Sequence, residues 1–396
     1  MARAAVIGYG AIPVGNYQKV SAGIDAPLEH EVAAQVVLAA AKMAGVSRTD
    51  IDAVVVAHPG DFTRQGYFHT FITSSLGITA QGNVIQVQGN GMTGGHAFDQ
   101  AVQLIDAGRA ECVLVVGVHF ETAIPTAQHL DNSIRLTGDV DFQSIFGPVP
   151  ISWYAMDAHR YMFEYNVSRE ITGTVALKNR RHAGVNPLAQ FRNPLTLDDI
   201  LAARPIVDPL GLLEVPARSD GAVALIVTTE ARAKANGKRY VVVRGRGFYH
   251  EGIHQTADFP TDGLAYGALT RAARYAQDDA GVDISDISTF HLYAPCTIVE
   301  ILATEALGLF ERGTGAAAAA DGRTSIGGPF PVNTCGGCLS RGHPPEVSPL
   351  YDVVEACTQA LRLAGARQVN AARLAMTVSE LGKYNAALVH VLEGQG

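Results

Sequence analysis

Two distant segments of this chain carry the same pattern. AGVSRTDIDAVVVAHPGD (Ala44 to Asp61) returns as AGVDISDISTFHLYAPCT (Ala280 to Thr297). Each copy follows an Ala-rich helix-forming run, EVAAQVVLAAAKM or LTRAARYAQDD, and each of those follows a strand-forming run, AAVIGYG near the start or RYVVVRGRGFY from Arg239. A looser pair begins at GNGMTGGHAFDQAVQLI, from Gly89, and at NTCGGCLSRGHPPEVSPLYDVVEACTQAL, from Asn333; both run from a Gly-rich turn through a helix to an apolar strand. Self-similarity of this kind marks a duplicated unit. Strands alternating with helices of roughly ten to fifteen residues predict mostly parallel sheets covered on both faces. The chain is therefore expected to fold as two β/α halves.

A single dinucleotide-binding domain would need a Gly-x-Gly-x-x-Gly turn directly after the first strand. IGYGAIPVG offers Gly8, Gly10 and Gly15, which is the wrong spacing. Residues from about Glu121 to Leu213 have no counterpart in the second half, and an insertion of that size on a rigid scaffold usually shapes a binding site.

Composition narrows the function classes. A net charge of −8 disfavours nucleic acid, which is bound chiefly by clustered Lys and Arg. The one dense basic stretch, KNRRH (Lys178 to His182), reads either as the solvated end of a helix or as a phosphate-contacting patch in which Lys178, Arg180 and Arg181 hold an anionic substrate. Five cysteines argue against a disulfide framework. Only Cys335 and Cys338 are closely paired, so no four-ligand metal site is expected. The opening MARAAVIGYGAIPVG lacks the regions of a signal peptide, and no apolar run approaches the roughly 20 residues that span a bilayer. A soluble protein of the reducing cytoplasm, with no membrane or nucleic-acid partner, is the expectation.

In this order and spacing, AGVSRTDIDAVVV, DAGRAECVLVVGVHFET, VALKNRRHAGVNP, VDPLGLLEVPARSDGAVALIV and NTCGGCLSRGHP resemble the thiolase superfamily, and within it the sterol-carrier-protein-X and lipid-transfer thiolase-like branch. The resemblance covers nearly the whole chain. It implies an α/β fold of two duplicated βαβαβαββ halves with five-stranded mixed sheets, residues 1–235 and 236–396, with the loop subdomain of about 121–213 inserted in the first.

The resemblance also implies a site built from four loops. The first normally presents a nucleophilic cysteine at a helix N-terminus, where backbone N–H groups favour a thiolate and an oxyanion. Here Gly91 stands in that place, beside Asn90, and no cysteine lies between Met1 and Glu111. The second loop matches YAPCT, so that Tyr293 replaces a polar residue; its hydroxyl can donate a hydrogen bond or act as a base. The third carries Gly342-His343-Pro344, whose imidazole would polarise a thioester carbonyl. The fourth normally supplies a second cysteine; here Ser379 or Glu380 stands near that position, with Gly382 and Tyr384 following. A carboxylate in a dry pocket has the raised pKa that proton transfer needs. Cys335 and Cys338 read as small buried residues.

A scaffold that keeps the Gly-rich loops and the histidine but loses both cysteines suits chemistry without a covalent intermediate. Retro-aldol cleavage of a β-hydroxyacyl-CoA, as in lipid or steroid side-chain degradation, is the first expectation, with the coenzyme A thioester as substrate and no covalently bound cofactor. The related steroid side-chain aldolases carry tyrosine in the Gly-His-Pro motif, whereas His343 persists here. The alternatives are acyl transfer with a displaced nucleophile, Cys296 or Cys338, and a non-catalytic acyl-CoA or lipid-binding subunit. A homodimer or larger homo-oligomer is expected, with NVIQVQG (Asn83 to Gly89) as an edge buried between subunits. A small OB-fold and zinc-ribbon companion is implied by analogy with this branch.

Overall fold

Apolar, β-branched runs form the strands, and helices close over both of their faces. The computed structural model describes residues 3–18, 26–60, 65–80, 82–254 and 262–396; Asp61, the last residue of the first repeat copy, lies outside them. The first half begins with β1 (Ala4–Ala11), α1 (Glu29–Ala44), β2 (Ala53–Ala57), α2 (Phe68–Ser75), β3 (Val84–Val87), α3 (Thr93–Asp106) and β4 (Cys112–Phe120). The chain then leaves the sheet for α4 (Thr126–Thr137), α5 (Pro150–Glu164), α6 (Arg169–Gly184), α7 (Leu197–Leu201) and a short antiparallel pair, β5 (Pro205–Val207) with β6 (Leu210–Gly211). It returns as β7 (Asp220–Thr229) and passes through α8 (Glu230–Ala235). The second half comprises β8 (Tyr240–His250), α9 (Gly267–Ala280), β9 (Thr289–Leu292), α10 (Thr297–Ala306), α11 (Gly315–Ala320), α12 (Ser348–Ala360), β10 (Leu374–Glu380) and β11 (Ala386–Gln395).

The strands hydrogen-bond in the order β3-β2-β4-β7-β1-β8-β11-β10-β9. Read outward from the centre, β1-β7-β4-β2 and β8-β11-β10-β9 repeat one topology, antiparallel until the last pair, which is parallel. In the first half β3 continues this parallel run; in the second, the fifth position is a single parallel bridge from Phe290 to Val332. Within the sheet, the two half-sheets join at β1 and β8 through the residue pairs Ala5–Val242 and Val6–Val241.

The repeat extends to backbone packing. A Cβ on Gly8 or Gly10 would collide with the carbonyl of Ala40 or Val36 in α1, and one on Gly245 or Gly247 with that of Ala276 or Ala272 in α9. These glycines bring helix backbone onto strand backbone, which is what the N-terminal Gly-x-Gly serves here.

Side-chain alternation assigns each strand face to a layer. In β2, Val54 and Val56 pack with α1, whereas Ala53, Val55 and Ala57 face the layer holding α3 and α12. Every residue of α12 is buried, against strands of both halves. The inserted α6 docks on the second half rather than on the first. Its Lys178 pairs with Glu300 of α10, and its His182 Nδ1 lies 3.0 Å from the Asn333 carbonyl. No helix among the described residues is long and apolar enough to cross a membrane, and no group of their His, Cys, Asp and Glu side chains could hold a metal ion.

Candidate active site

The chain ends of β3, β4, β9 and β10 converge, as ligand sites of α/β sheets do at the carboxyl ends of strands. After β3 a single helical turn, Asn90–Met92, leads into α3, with Asn90 in the left-handed region (φ 45°). Thr93 Oγ1 fastens this turn, accepting from Gly89 N and donating to the Asn90 carbonyl. A Cβ on Gly91 would stand 2.7 Å from Cζ of Tyr293 and 2.7 Å from the Glu380 carbonyl. The Tyr293 ring thus occupies the space into which a side chain at position 91 would project.

Tyr293 is held by its own N–H, which donates to the Val378 carbonyl (2.9 Å). Its hydroxyl lies 2.8 Å from His343 Nε2. His343 follows a π-helical turn, Gly337–Arg341, and Gly342 at φ 109°, a conformation that favours glycine. The backbone N–H of His343 donates to Ser219 Oγ (3.1 Å), fixing the ring against the end of β7. Burial, with the nearby Arg341 cation, brings the imidazole down to about 3, so it is neutral at ordinary pH. Burial pushes the Tyr293 phenol well above its usual value, so the pair rests as neutral phenol and neutral imidazole.

Glu380 ends β10 fully buried. Its Oε2 accepts from Gly382 N (2.5 Å), and its Oε1 accepts from Tyr154 Oη (3.0 Å) in α5. Burial raises its carboxyl to about 7 despite those donors. It pins the loop from Leu381 to Tyr384, and Tyr154 stands between it and the open site. Tyr384 is a core residue whose ring packs against Tyr154 and Tyr266.

A cavity of about 320 Å³ opens over these groups. Asn90, Tyr293, His343 and Gly382 line it; Gly91, Glu380 and Tyr384 do not. Sequence reasoning missed Tyr154 and a group of charged residues that also line the cavity, His119, Glu121, His129, Arg218 and Glu346. His119 and Glu346 form an ion pair. Burial works against the charge on His119, but the Glu346 carboxylate outweighs it and raises the imidazole to about 9. Burial likewise raises Glu121 to about 7. Polar residues closing the otherwise apolar VLVVGVHFET were a legible signal, because strand ends are where α/β folds place ligands.

The basic stretch is not brought to the cavity. Lys178 is buried in an ion pair with Glu300 (2.6 Å) and donates to the Val332 carbonyl, Arg180 Nε donates to Ser340 Oγ (3.0 Å), and Arg181 is exposed. Here the helix-end reading fails for Lys178 as well: it shares the buried face of α6 with Val175 and His182, a spacing legible in the sequence. All five cysteines are free and buried, and none lines the cavity. Burial pushes the Cys296 thiol well above its usual range and Cys338 up to about 12, so neither offers a thiolate.

The chain matches known proteins along nearly its whole length. Residues 4–231 match the family model "Thiolase, N-terminal domain", and residues 245–394 match "Thiolase C-terminal domain-like". The chain is 31% identical to an acetyl-CoA acetyltransferase of Methanothermobacter thermautotrophicus, covering 89% of this chain and 91% of that one. It is 30% identical to a steroid side-chain-cleaving aldolase of Thermomonospora curvata, over 80% of this chain and 82% of that one. Sterol carrier protein 2 of Oryctolagus cuniculus is 30% identical over 80% of this chain, which spans 59% of that protein's length. Among solved structures, the Ltp2-ChsH2(DUF35) aldolase superposes with a TM-score of 0.83 at 25% identity, covering 99% of this chain and 97% of that one.

Proposed function

This chain belongs to the thiolase family, and on that premise we propose that it cleaves the carbon–carbon bond of a β-hydroxyacyl-CoA by a retro-aldol reaction, without a covalent acyl-enzyme. The observation that carries the reading is the Tyr293 ring standing where a nucleophilic side chain at position 91 would project, with its hydroxyl on His343. In the proposed reaction Tyr293 Oη takes the proton of the substrate β-hydroxyl while its own proton passes to His343 Nε2, so no free phenolate is needed. The bond between the α and β carbons breaks, the β-oxygen becomes a carbonyl, and the electron pair is left on the thioester as an enolate. Asn90 and Gly382, which line the same cavity, are the proposed contacts on the thioester side, near the positive end of α3. Glu380 and Tyr384 act behind this surface, holding its loop and wall.

Acyl transfer through Cys296 or Cys338 is disfavoured by the raised, buried thiols. Incubation with a panel of β-hydroxyacyl-CoAs tests the proposal: release of acetyl-CoA or propionyl-CoA supports it. Rapid, substrate-protected iodoacetamide labelling of one cysteine, accompanied by thiolysis, would instead establish a displaced nucleophile.

The proposed assembly is a homodimer through the half-buried edge β3, working with a small OB-fold and zinc-ribbon companion. The companion is supported by the DUF35 component named in the similar aldolase structure. A cytoplasmic location fits five free cysteines.

A further inference from the structure

Retro-aldol cleavage moves two protons, one off the β-oxygen and one onto the α-carbon, and the Tyr293–His343 pair accounts for the first. The second requires an acid that faces the enolate. On the wall formed by the end of β4, His119 is buried, lines the cavity, and has no hydrogen-bond partner at Nε2 among the described residues. Its Nδ1 is paired with the Glu346 carboxylate, so that Nε2 is the ring nitrogen left buried without a charged or hydrogen-bonding partner among the described residues. The other charged groups lining the cavity have polar contacts of their own. Arg218 donates to the carbonyls of Glu121 and Ile124, and Glu121 accepts from Ser219 N (3.2 Å) and lies 3.5 Å from His129 Nδ1.

We propose that His119 is a second catalytic residue: its imidazolium, held by Glu346, delivers a proton from Nε2 to the α-carbon of the enolate. This inference rests on the retro-aldol reading. The step balances: the enolate electron pair forms the new C–H bond, the N–H bond pair stays on His119, and His343 and His119 return to their resting states by exchanging one proton each with water. The Glu346 carboxylate favours the charged imidazole against the cost of burial, which keeps the acid loaded between turnovers.

The reverse of this step is removal of an α-proton by neutral His119, which requires no cleavage and is read separately. Wild-type protein incubated with acetyl-CoA or propionyl-CoA in D2O is expected to incorporate deuterium at the α-carbon, measured by mass spectrometry. His119→Gln is expected to lose that exchange by at least on the order of a hundredfold, within the range of general acid–base catalysis. Glu346→Gln, which keeps the side-chain shape, is expected to lose about tenfold or more, and it carries the test if His119→Gln fails to fold by circular dichroism. Exchange at the wild-type rate in either folded variant would overturn the assignment, as would cleavage by a wild-type protein that exchanges no α-protons. Exchange without cleavage of any β-hydroxyacyl-CoA would sink the retro-aldol reading while supporting His119 as the α-carbon's proton partner.

Discussion

The hydroxyl of Tyr293 sits 2.8 Å from Nε2 of His343, and its ring stands in the volume that a side chain at Gly91 would claim. One residue thus fills the position of a covalent nucleophile and, in the proposed reaction, carries a proton in its stead.

Replacing His343 by Ala is expected to lower turnover by at least on the order of a hundredfold with the fold retained, because it removes the acceptor at the end of the proposed proton path. Steady-state kinetics on the best β-hydroxyacyl-CoA, beside a circular dichroism spectrum, check this; near-normal turnover would take His343 out of the site.

Tyr293→Phe keeps the ring that fills the Gly91 space and deletes only the hydroxyl. Turnover is expected to fall on the order of a hundredfold while stability changes by about 1 kcal/mol, the net worth of one hydrogen bond. A larger loss of stability in urea unfolding would mean that the hydroxyl serves the fold rather than the reaction.

Gly91→Cys is expected to leave acetoacetyl-CoA thiolysis absent. The new side chain meets the Tyr293 ring and the Glu380 carbonyl, overpacking that costs about 1–3 kcal/mol. A lowered Tm without thiolase activity is the predicted result; robust thiolysis would show that the ring yields.

Glu380 ties stability to pH. Its folded pKa, about 7, lies above the ordinary carboxyl value of 4.5, so the folded state binds the extra proton between those values. Stability therefore falls as pH rises from about 4.5 to 7, by at most roughly 3 kcal/mol at 1.36 kcal/mol per unit. Urea unfolding across that range should show a flatter slope for Glu380→Gln than for the wild type; parallel slopes would contradict the assignment.

Lys178→Ala is expected to destabilise the protein by about 3–5 kcal/mol, because Glu300 is left as an uncompensated buried charge. Arg181→Ala, at an exposed position, should fall within about 0.5 kcal/mol of wild type. Equal effects on coenzyme A affinity, with no loss of stability, would restore the phosphate-patch reading of KNRRH.

The sequence by itself determined the duplicated α/β fold, through its internal repeat and the alternation of strand and helix patterns. The candidacy of Gly91 as the vacated nucleophile position and of His343 came from short motifs whose order resembles the thiolase superfamily. The contacts that define the site join residues far apart in the chain. Tyr293 reaches His343, Tyr154 in the insertion reaches Glu380, and His119 at the end of β4 meets Glu346. Spacing could place Glu380 near the fourth loop, but only packing turned its carboxylate onto Gly382 N and set Tyr154 between it and the cavity. The same holds for Lys178, whose charge looked solvated until α6 docked on α10 and presented Glu300. A buried charge takes its role from the partner and the dielectric that surround it, and those exist only once the chain has folded.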